Sequence, residues 1–251
     1  MPKTVIVIPC YQEEARLDPE AFDLLCGHDI SVLLVDDGSC DGTLALLRRI
    51  EARAPDKISV LPLSPNRGKA EAVRLGMVEA LARGASQVGF ADADLATPAS
   101  ELVRLVRALE DSPALTAVMG SRIARAGAHI DRKHSRHYLG RVFSTLASLV
   151  LAHPFYDTQC GAKVFRAGAA LSEAVASPFS SRWAFDVELI GRLLTGPDPV
   201  PFAAFLELPL VDWHDVGGSK LNAIDKLRST YELGKIARAL ALRRARARQG
   251  S

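Results

Sequence analysis

Short apolar runs alternate with segments of helical periodicity along the first half of the chain. The apolar runs are TVIVIP, ISVLLVDD, ISVLPL, SQVGFAD and LTAVMGS, and continuous runs of this kind are typical of strands buried on both faces of a sheet. Between them lie DGTLALLRRIEARA, GKAEAVRLGMVEALARG and PASELVRLVRALED, which have the spacing of helices. Repeated strand–helix–strand units predict an α/β fold with a Rossmann-like, mostly parallel central sheet flanked by helices.

The second half of the chain is less regular. Its pattern predicts a helix over residues 136–152, a polar loop over 156–166, a second helix over 183–194 and a single strand over 202–213. A long basic helix follows and ends in LALRRARARQG. We therefore predict one domain over residues 1–220 and a basic helical extension over residues 221–251.

The composition is that of an ordinary globular protein, with 48% hydrophobic and 24% charged residues among 251. A formal net charge of +2 is too balanced to indicate nucleic acid as a partner. The four cysteines form no C-x-x-C pair, and the first residues, MPKTVIVIPC, lack the features of a signal peptide, so we expect a cytoplasmic protein. The longest apolar stretch, VFSTLASLVLAHPF, is shorter than the roughly 20 residues that a membrane-spanning helix needs.

Three polar segments, VDDGS, SPNRG and ADADLATP, lie at the ends of predicted strands. Since ligands bind at the carboxyl ends of strands in such sheets, we expect these segments to line one crevice. Asp92 and Asp94 are two residues apart, so both carboxylates face the same side if strand geometry continues through them. Such a pair favours a divalent ion, Mg²⁺ or Mn²⁺, that also binds substrate phosphates. Alternatively, the pair caps the helix after Pro98 or makes loop hydrogen bonds, and this stretch alone leaves both interpretations open.

Eight segments, in order, carry a resemblance to a known family. VIVIPCYQEE, LLVDDGSCDGT, NRGKAEAVRLGM and ADADLATP resemble the family-2 inverting glycosyltransferases of GT-A fold. MGSR, DTQCGAKVFR, RWAFDVEL and GGSKLN narrow the resemblance to the polyprenyl-phosphate glycosyltransferases, and most of all to the dolichyl-phosphate glucosyltransferases. The resemblance implies a single displacement that moves a sugar, glucose in that group, from UDP-glucose or a related donor to a polyprenyl phosphate.

The resemblance also implies which residues bind the donor: Pro9, Tyr11, Glu13, Asp36, Asp37, Lys69, Asp92 and Ala93. Pro9, Tyr11 and Glu13 would line the pocket for the nucleotide base. Either Asp36 or Asp37 would hold the base or the ribose. Simpler alternatives stay open, because a proline can end a strand, a tyrosine can be packed, and an aspartate before a glycine is common in turns.

The implied metal ligands are Asp92 and Asp94, which would hold Mg²⁺ or Mn²⁺ against the donor diphosphate. Ala96 stands where some lipid-phosphate mannosyltransferases place a third ligand, a glutamine, so we expect the ion to rely more on the diphosphate. Lys69 would lie beside the ribose and sugar, together with Asn66 and Gly68. It is alternatively a solvated lysine at the start of a helix.

The implied catalytic residues are Asp94, Arg122, Asp157 and Lys220. The leaving diphosphate gathers negative charge, which a divalent ion at Asp94 and the Lys220 ammonium group would stabilise. Lys220 is alternatively an exposed residue at the start of the final helix. The acceptor phosphate would meet a basic group made of Arg122, Arg132, Lys133 and Arg136. Lys133 and Arg136 are alternatively part of a solvated face. One of three carboxylates would orient the acceptor or sugar hydroxyl groups, or any of them caps a helix: Asp157 and two further residues, Asp186 and Glu188.

Two other functions stay open, namely the same chemistry on a soluble acceptor and a nucleotide-sugar binding protein without turnover. In the helix over 136–152, core packing is favoured over lipid contact for one apolar face, formed by Leu139, Val142, Phe143, Leu146, Leu149 and Val150. Anionic lipid would attract the C-terminal arginines Arg243, Arg244, Arg246 and Arg248. The expected partners therefore include a peripheral contact with the inner face of a membrane.

Overall fold

A computed structural model describes residues 3–123, 126–131, 134–214 and 223–249, with side chains for these ranges except 131, 134–140, 223–230 and 246–249. Nine strands lie within these ranges: β1 (Thr4–Cys10), β2 (Ile30–Asp36), β3 (Ile58–Pro62), β4 (Gln87–Ala91), β5 (Ala117–Ser121), β6 (His129–Asp131), β7 (Ala162–Arg166), β8 (Phe205–Pro209) and β9 (Asp212–His214). The helices are α1 (Asp23–Gly27), α2 (Thr43–Arg53), α3 (Lys69–Ala82), α4 (Ala99–Asp111), α5 (His134–Leu151), α6 (Ala169–Ala176), α7 (Phe185–Thr195) and α8 (Ala223–Gln249).

Seven strands form the central sheet in the order β3-β2-β1-β4-β7-β5-β8. Every neighbouring pair is parallel except those of β7, which runs antiparallel to both β4 and β5. The short strands β6 and β9 form a separate parallel pair. This architecture confirms the prediction of a mostly parallel sheet flanked by helices.

Side chains alternate between the two faces of the sheet along β1 and β2. Ile6 and Ile8 of β1 belong to a core that includes residues of α2 and α4, whereas Val5 and Val7 belong to a core with α3, α6 and α7. Gly76 lets α3 approach β1 closely, because a Cβ atom at position 76 would lie only 2.3 Å from Val7 Cγ1. The sheet is thus a rigid layer that is covered on both sides, and its strand ends are held in fixed positions.

The C-terminal helix α8 packs on α5 and α7. Its Leu233, Ile236 and Leu240 are buried in a third apolar cluster with Ala147 and Leu151 of α5. The division at residue 220 lies outside the described residues and stays a prediction. Among the helices in the described part of the chain, none combines the length and the apolarity needed to cross a bilayer.

Two predictions for the second half were wrong. The predicted polar loop over 156–166 contains β7, which lies inside the sheet between β4 and β5, and its charged residues Lys163 and Arg166 concealed it. The predicted strand over 202–213 is divided into a short 3-10 turn, β8 and β9. The apolar run there is interrupted because the chain leaves the central sheet after Pro209 and pairs with β6.

The predicted apolar face of α5 is partly wrong as well. Val142 is 61% exposed and Leu149 is 72% exposed, whereas Ala147 and Leu151 are fully buried. Helix α5 contacts α7 and α8 mainly through the side that carries Ala147 and Leu151. The predicted apolar face is wider than this contact, so part of it stays exposed. The remaining members of that face that are described, Phe143, Leu146 and Val150, pack against this contact, and the Leu139 side chain lies outside the described residues.

Candidate active site

The crevice forms where β1, β2 and β4 end. Cys10 of β1 pairs with Asp36 of β2, and Val7 of β1 pairs with Phe90 near the end of β4, so these three neighbouring strands end close to one another. Because β7 is antiparallel, its first residue lies at the same edge, and the loop before it reaches the crevice. Asp92 N donates a hydrogen bond to Gly161 O at 3.1 Å, which joins that loop to the end of β4.

Asp37 organises the loop that leads into α3. Its carboxylate is almost completely buried and accepts hydrogen bonds from Asn66 Nδ2 at 2.9 Å, Arg67 N at 2.8 Å and Gly68 N at 2.8 Å. Burial raises the pKa of Asp37, although the two backbone donors oppose that shift. Asp36, equally buried, accepts a hydrogen bond from Ser39 N at 3.3 Å. Of Asp36 and Asp37, the two candidates for holding the base or the ribose, Asp37 is therefore the one whose carboxylate shapes this loop.

The predicted base pocket lies between β1 and the start of α2. Pro9 is half-buried in β1, and Tyr11 is 39% exposed just beyond it. Glu13 is buried and forms an ion pair with Arg16, with an Oε1–Nη2 distance of 2.6 Å. Its backbone N donates to Thr43 Oγ1 at 2.8 Å, so Glu13 is tied to the N-terminus of α2. Pro9 thus lies beside the end of β2, and Glu13 is held at the start of α2.

Asp92 and Asp94 lie in a tight turn after β4. The strand ends at Ala91, and Leu95 N donates to Asp92 O at 3.1 Å, so strand geometry does not continue through the pair as expected. Asp94 Oδ1 accepts a hydrogen bond from Ala96 N at 3.1 Å, and α4 has no side-chain cap. The prediction that this pair caps α4 is therefore wrong. The other alternative, a hydrogen bond within the loop, holds for Asp94. Buried Ala93 separates the two carboxylates.

Lys69 opens α3 and faces the same turn. Its Nζ lies 2.5 Å from Asp92 Oδ1. Partial desolvation opposes the charged form of Lys69, but the charges of Asp92, Asp186 and Asp94 outweigh it and raise its pKa. The ammonium group is therefore held charged at the edge of the crevice, where an anionic ligand would meet it.

The turn carries a surplus of negative charge that fits a cation. Burial raises the pKa of Asp94, and the neighbouring Asp92 charge adds to this, although the Ala96 hydrogen bond and the Lys69 and Arg16 charges oppose it. Within the described ranges, no three His, Cys, Asp or Glu side chains are arranged to hold a metal ion. Two carboxylates nevertheless suit Mg²⁺ or Mn²⁺, since these ions commonly use one or two protein oxygens together with substrate phosphates.

Arg122 and Asp157 form a buried ion pair at the end of β5. Arg122 Nε and Nη2 donate to the two carboxylate oxygens of Asp157, each at 2.7 Å, and Arg122 N donates at 3.0 Å. Asp157 raises the pKa of Arg122 and more than offsets the opposing effect of burial. The guanidinium carbon lies 5.4 Å from the Trp213 ring, and Arg122 Nη1 has no hydrogen-bond partner among the described residues. Asp157 thus orients Arg122 through a bidentate pair that does not use Nη1.

The other candidate carboxylates are both in α7. Asp186 lies 2.6 Å from Nζ of the buried Lys163. Burial raises the pKa of Asp186, and the Lys163 charge opposes that shift. Glu188 forms an ion pair with Arg192 at 2.8 Å and accepts hydrogen bonds from Ser180 and Ser181, so it stabilises the loop before the helix.

Some predicted residues cannot be placed in the site. Lys220, Arg132, Lys133 and the Arg136 side chain lie outside the described residues. Of the C-terminal arginines, Arg243 forms an ion pair with Glu173 at 3.2 Å, and Arg244 donates to the Val150 and Leu151 carbonyls at the end of α5. These two side chains are therefore engaged within the protein; those of Arg246 and Arg248 are not described.

Sequence reasoning missed two basic residues near the crevice. One is Lys163, which was hidden in the unrecognised strand β7. The other is Arg182, whose guanidinium packs against the backbone of Gly68, so that a Cβ atom there would lie 2.7 Å from Arg182 Nη2. Gly68 also has a φ of +89°, which favours glycine. The available signal for Lys163 was a basic residue within a short segment, AKVFR, whose first four residues are otherwise apolar.

The fold and the site together define a class. A mostly parallel sheet with two carboxylates in a turn after β4, a facing lysine and a buried loop-shaping aspartate is the arrangement of a GT-A glycosyltransferase. The sequence profile described as Glycosyl transferase family 2 matches residues 5–171. The chain belongs to this family, and it is a glycosyltransferase.

Individual relatives agree with this assignment. The chain is 34% identical over 245 residues to the dolichyl-phosphate beta-glucosyltransferase of Mus musculus, covering 86% of this chain and 68% of the relative. Identity to the Homo sapiens protein of the same name is 32% over 241 residues, with the same coverage. The mannosyltransferase PcManGT from Pyrobaculum calidifontis, solved with GDP-Man and Mn²⁺, superposes with a TM-score of 0.57 at 18% identity, covering 100% of this chain and 76% of that one. The predicted GT-A fold is confirmed.

Proposed function

We propose that this enzyme transfers glucose from UDP-glucose to a polyprenyl phosphate, with inversion at the anomeric carbon. The observation that carries the proposal is the 34% identity to the mouse dolichyl-phosphate beta-glucosyltransferase across 86% of the chain. The geometry of the crevice supports it, because the proposed donor-binding groups at the ends of β1, β2 and β4 and the proposed acceptor-binding Arg122 at the end of β5 lie at the same edge of the sheet, with only β7 between β4 and β5. Inversion is expected because a single displacement attacks the face opposite the leaving group.

The donor is proposed to bind over the β1, β2 and β4 ends. The loop shaped by Asp37 and the N-terminus of α3 face the ribose and phosphates, since a helix N-terminus and a lysine attract anions. Asp92 and Asp94 would hold Mg²⁺ or Mn²⁺, which when bound supplies Lewis-acid stabilisation of the negative charge that develops on the leaving diphosphate. Lys69 contributes a fixed positive charge at the same place, and Lys220 is proposed to add a second.

The acceptor phosphate is proposed to bind at Arg122. A phosphate monoester, with a second pKa of about 6, is already an anion near neutrality, so it needs a cation rather than a general base. The free edge of the Arg122 guanidinium supplies that cation, and Asp157 holds it in one orientation. Asp157 is then a positioning residue, which explains how an acidic side chain can lie beside an anionic acceptor.

We further propose that the enzyme works at the cytoplasmic face of a membrane, through peripheral contact. A polyprenyl phosphate presents its head group at the bilayer surface, so the crevice must reach that surface. The exposed Lys235 and Arg238 of α8 support this, because basic side chains are attracted to anionic lipid.

The test is a transfer assay with labelled UDP-glucose and Mn²⁺, in which dolichyl phosphate and undecaprenyl phosphate are compared with dolichol. We expect label in lipid only when the phosphate is present. Arg122→Gln should lose about 10- to 100-fold in transfer, as expected when a hydrogen bond to a charged group is lost. Arg83→Gln, which removes an exposed ion pair with Glu79 at the end of α3, is the matched control. Transfer to dolichol, or to a water-soluble acceptor in preference to both phosphates, would show that the proposed acceptor is wrong.

A further inference from the structure

Glu207 is a half-buried carboxylate that the proposed transfer reaction does not use. It is the one charged residue of β8, which is an edge strand of the central sheet. Burial raises the pKa of Glu207, and the nearby Asp157 charge adds to that shift, so the charged form needs support. Within the described ranges, its carboxylate forms no ion pair with a lysine or an arginine. Hydrogen bonds must therefore stabilise this carboxylate.

The hydrogen bonds of Glu207 come from the loop between α5 and β7. Tyr156 N donates to Glu207 Oε2 and Asp157 N donates to Glu207 Oε1, each at 2.7 Å. Bonds of this length to an ionised acceptor are among the stronger hydrogen bonds in proteins. Because one carboxylate holds two consecutive N–H groups, it fixes the position of the backbone at Asp157.

Asp157 is also the residue that orients Arg122. Its Oδ2 accepts hydrogen bonds from Arg122 N at 3.0 Å and Arg122 Nε at 2.7 Å, and its Oδ1 accepts one from Arg122 Nη2 at 2.7 Å. Glu207 therefore reaches Arg122 through two sets of hydrogen bonds, one to the Asp157 backbone and one from the Asp157 carboxylate. Asp157 is 5% exposed, and a close-packed side chain has little room to compensate if its backbone moves.

The loop has a second, separate attachment to β8. The Phe155 ring packs edge-on against Phe205, with a distance of 5.7 Å between the ring centres, and Phe155 O accepts a hydrogen bond from Ser148 Oγ at 2.7 Å. These contacts do not involve Glu207. Its carboxylate thus sets the detailed position of a loop that aromatic packing already holds on the sheet.

We propose that Glu207 is a positioning residue for the acceptor phosphate: by holding the Tyr156 and Asp157 N–H groups, it places the carboxylate that orients Arg122. This inference rests on the proposed function in one respect, that Arg122 binds the acceptor phosphate. Glu207 contacts no substrate, and its effect passes through Asp157.

The test compares the acceptor with the donor. Initial rates of glucose transfer to undecaprenyl phosphate in detergent micelles, and calorimetric binding of UDP-glucose in Mn²⁺ buffer, are measured for the wild type, Glu207→Gln, Arg122→Gln and the variant with both substitutions. Glutamine offers only one acceptor oxygen, so one of the two N–H groups loses its partner. We expect kcat/KM for the acceptor to fall about tenfold, with UDP-glucose affinity unchanged. In the Arg122→Gln background, Glu207→Gln should cost less than about twofold more, because both substitutions act on the same contact.

Two further variants separate positioning from general stability. Glu51 Oε1 accepts a hydrogen bond from Val60 N at 3.0 Å on β3, the opposite edge strand, so Glu51→Gln is the matched control. Both glutamine variants should melt within about a few degrees of the wild type, but Glu51→Gln should keep its acceptor kinetics. Glu207→Asp keeps the charge on a side chain that is shorter by one methylene group, so we expect a partial loss of acceptor kcat/KM. This variant also provides the measurement if Glu207→Gln does not fold.

Several outcomes would overturn the inference. One is wild-type acceptor kinetics in a folded Glu207→Gln or Glu207→Asp variant. Another is an equal loss of UDP-glucose affinity, and a third is full additivity with Arg122→Gln. If Arg122→Gln itself transfers glucose normally, the proposed acceptor site fails, and this inference fails with it. If Arg122→Gln is impaired while the Glu207 variants are not, the proposed acceptor site stands and only this inference is wrong.

Discussion

Replacing Gly161 by alanine introduces a methyl group directly against the Asp92 carboxylate. The new Cβ would lie 2.3 Å from Oδ2, 2.5 Å from Cγ and 2.8 Å from Oδ1 of Asp92. Ordinary contact begins at 3.4 Å, so the carboxylate must move by about 1.1 Å, that is, 3.4 minus 2.3. The nearest atoms belong to a half-exposed side chain that can turn away, so the backbone of β4 and β7 is not forced to move.

The substitution should therefore separate activity from stability. Gly161 does not have a left-handed φ, so alanine is allowed there, and the less flexible unfolded chain favours folding by about 0.4–1 kcal/mol. Loss of the part-exposed Lys69–Asp92 pair costs about 0–1 kcal/mol, which nearly cancels that gain. Catalysis depends on the position of Asp92, and a misplacement of about 1 Å typically costs about 100-fold in rate.

The assay measures initial rates of glucose transfer and the thermal midpoint of the same preparation. Gly234→Ala in α8, where a Cβ atom would meet nothing within 4 Å, is the matched control and should keep full activity. We expect Gly161→Ala to melt within a few degrees of the wild type and to lose about 100-fold in activity. Wild-type activity in this variant, or a large fall in the melting temperature, would refute the reasoning about Asp92.

Three further predictions concern charged groups. Asp94→Asn should remove most activity and weaken the Mn²⁺ dependence of donor binding while the thermal midpoint is kept, because Asp94 lies in a crevice; full activity in EDTA would contradict the metal role. The pKa of Lys69 is raised above its ordinary value of 10.5, so its stabilising contribution is complete below that pH and is lost only above it; urea unfolding of wild type and Lys69→Met should differ by a constant amount from pH 7 to 10, and a difference that vanishes by pH 9 would refute this. Arg192→Met should destabilise the fold by about 3–5 kcal/mol in urea, because Glu188 is left buried without its cation, and a loss below 1 kcal/mol would show that the pair is unimportant.

Much of the first half could be predicted from the sequence. Strands buried on both faces read as continuous apolar runs, and segments of helical spacing between them predict α2, α3 and α4, so the order of these elements through β5 follows from local pattern, whereas the short α1 was not predicted. The crevice follows as well, because parallel strands place their carboxyl ends at one edge. Asp92 and Asp94 were found on that ground, whereas the roles of Asp37 and Lys69 came from the family resemblance.

The tertiary structure alone decided how β7 enters the sheet. A five-residue strand with Lys163 at its second position has no apolar alternation to distinguish it, and only pairing with β4 and β5 makes it a strand. Its antiparallel direction brings Gly161 against Asp92 and Lys163 against Asp186. Neither contact can be inferred from spacing, because the partners are 69 and 23 positions apart in the chain (161 minus 92 and 186 minus 163).

The partners of charged side chains were likewise decided by the fold. Arg122 and Asp157 were identified from the sequence as two separate site residues. In the structure they form a bidentate ion pair, in which Asp157 orients Arg122. Arg243 and Arg244 read as a basic patch, yet they meet Glu173 and the end of α5. Local sequence determines which residues carry charge and which segments bury apolar surface. Which charges neutralise one another depends on distances between elements, and those distances exist only once the sheet and helices have packed.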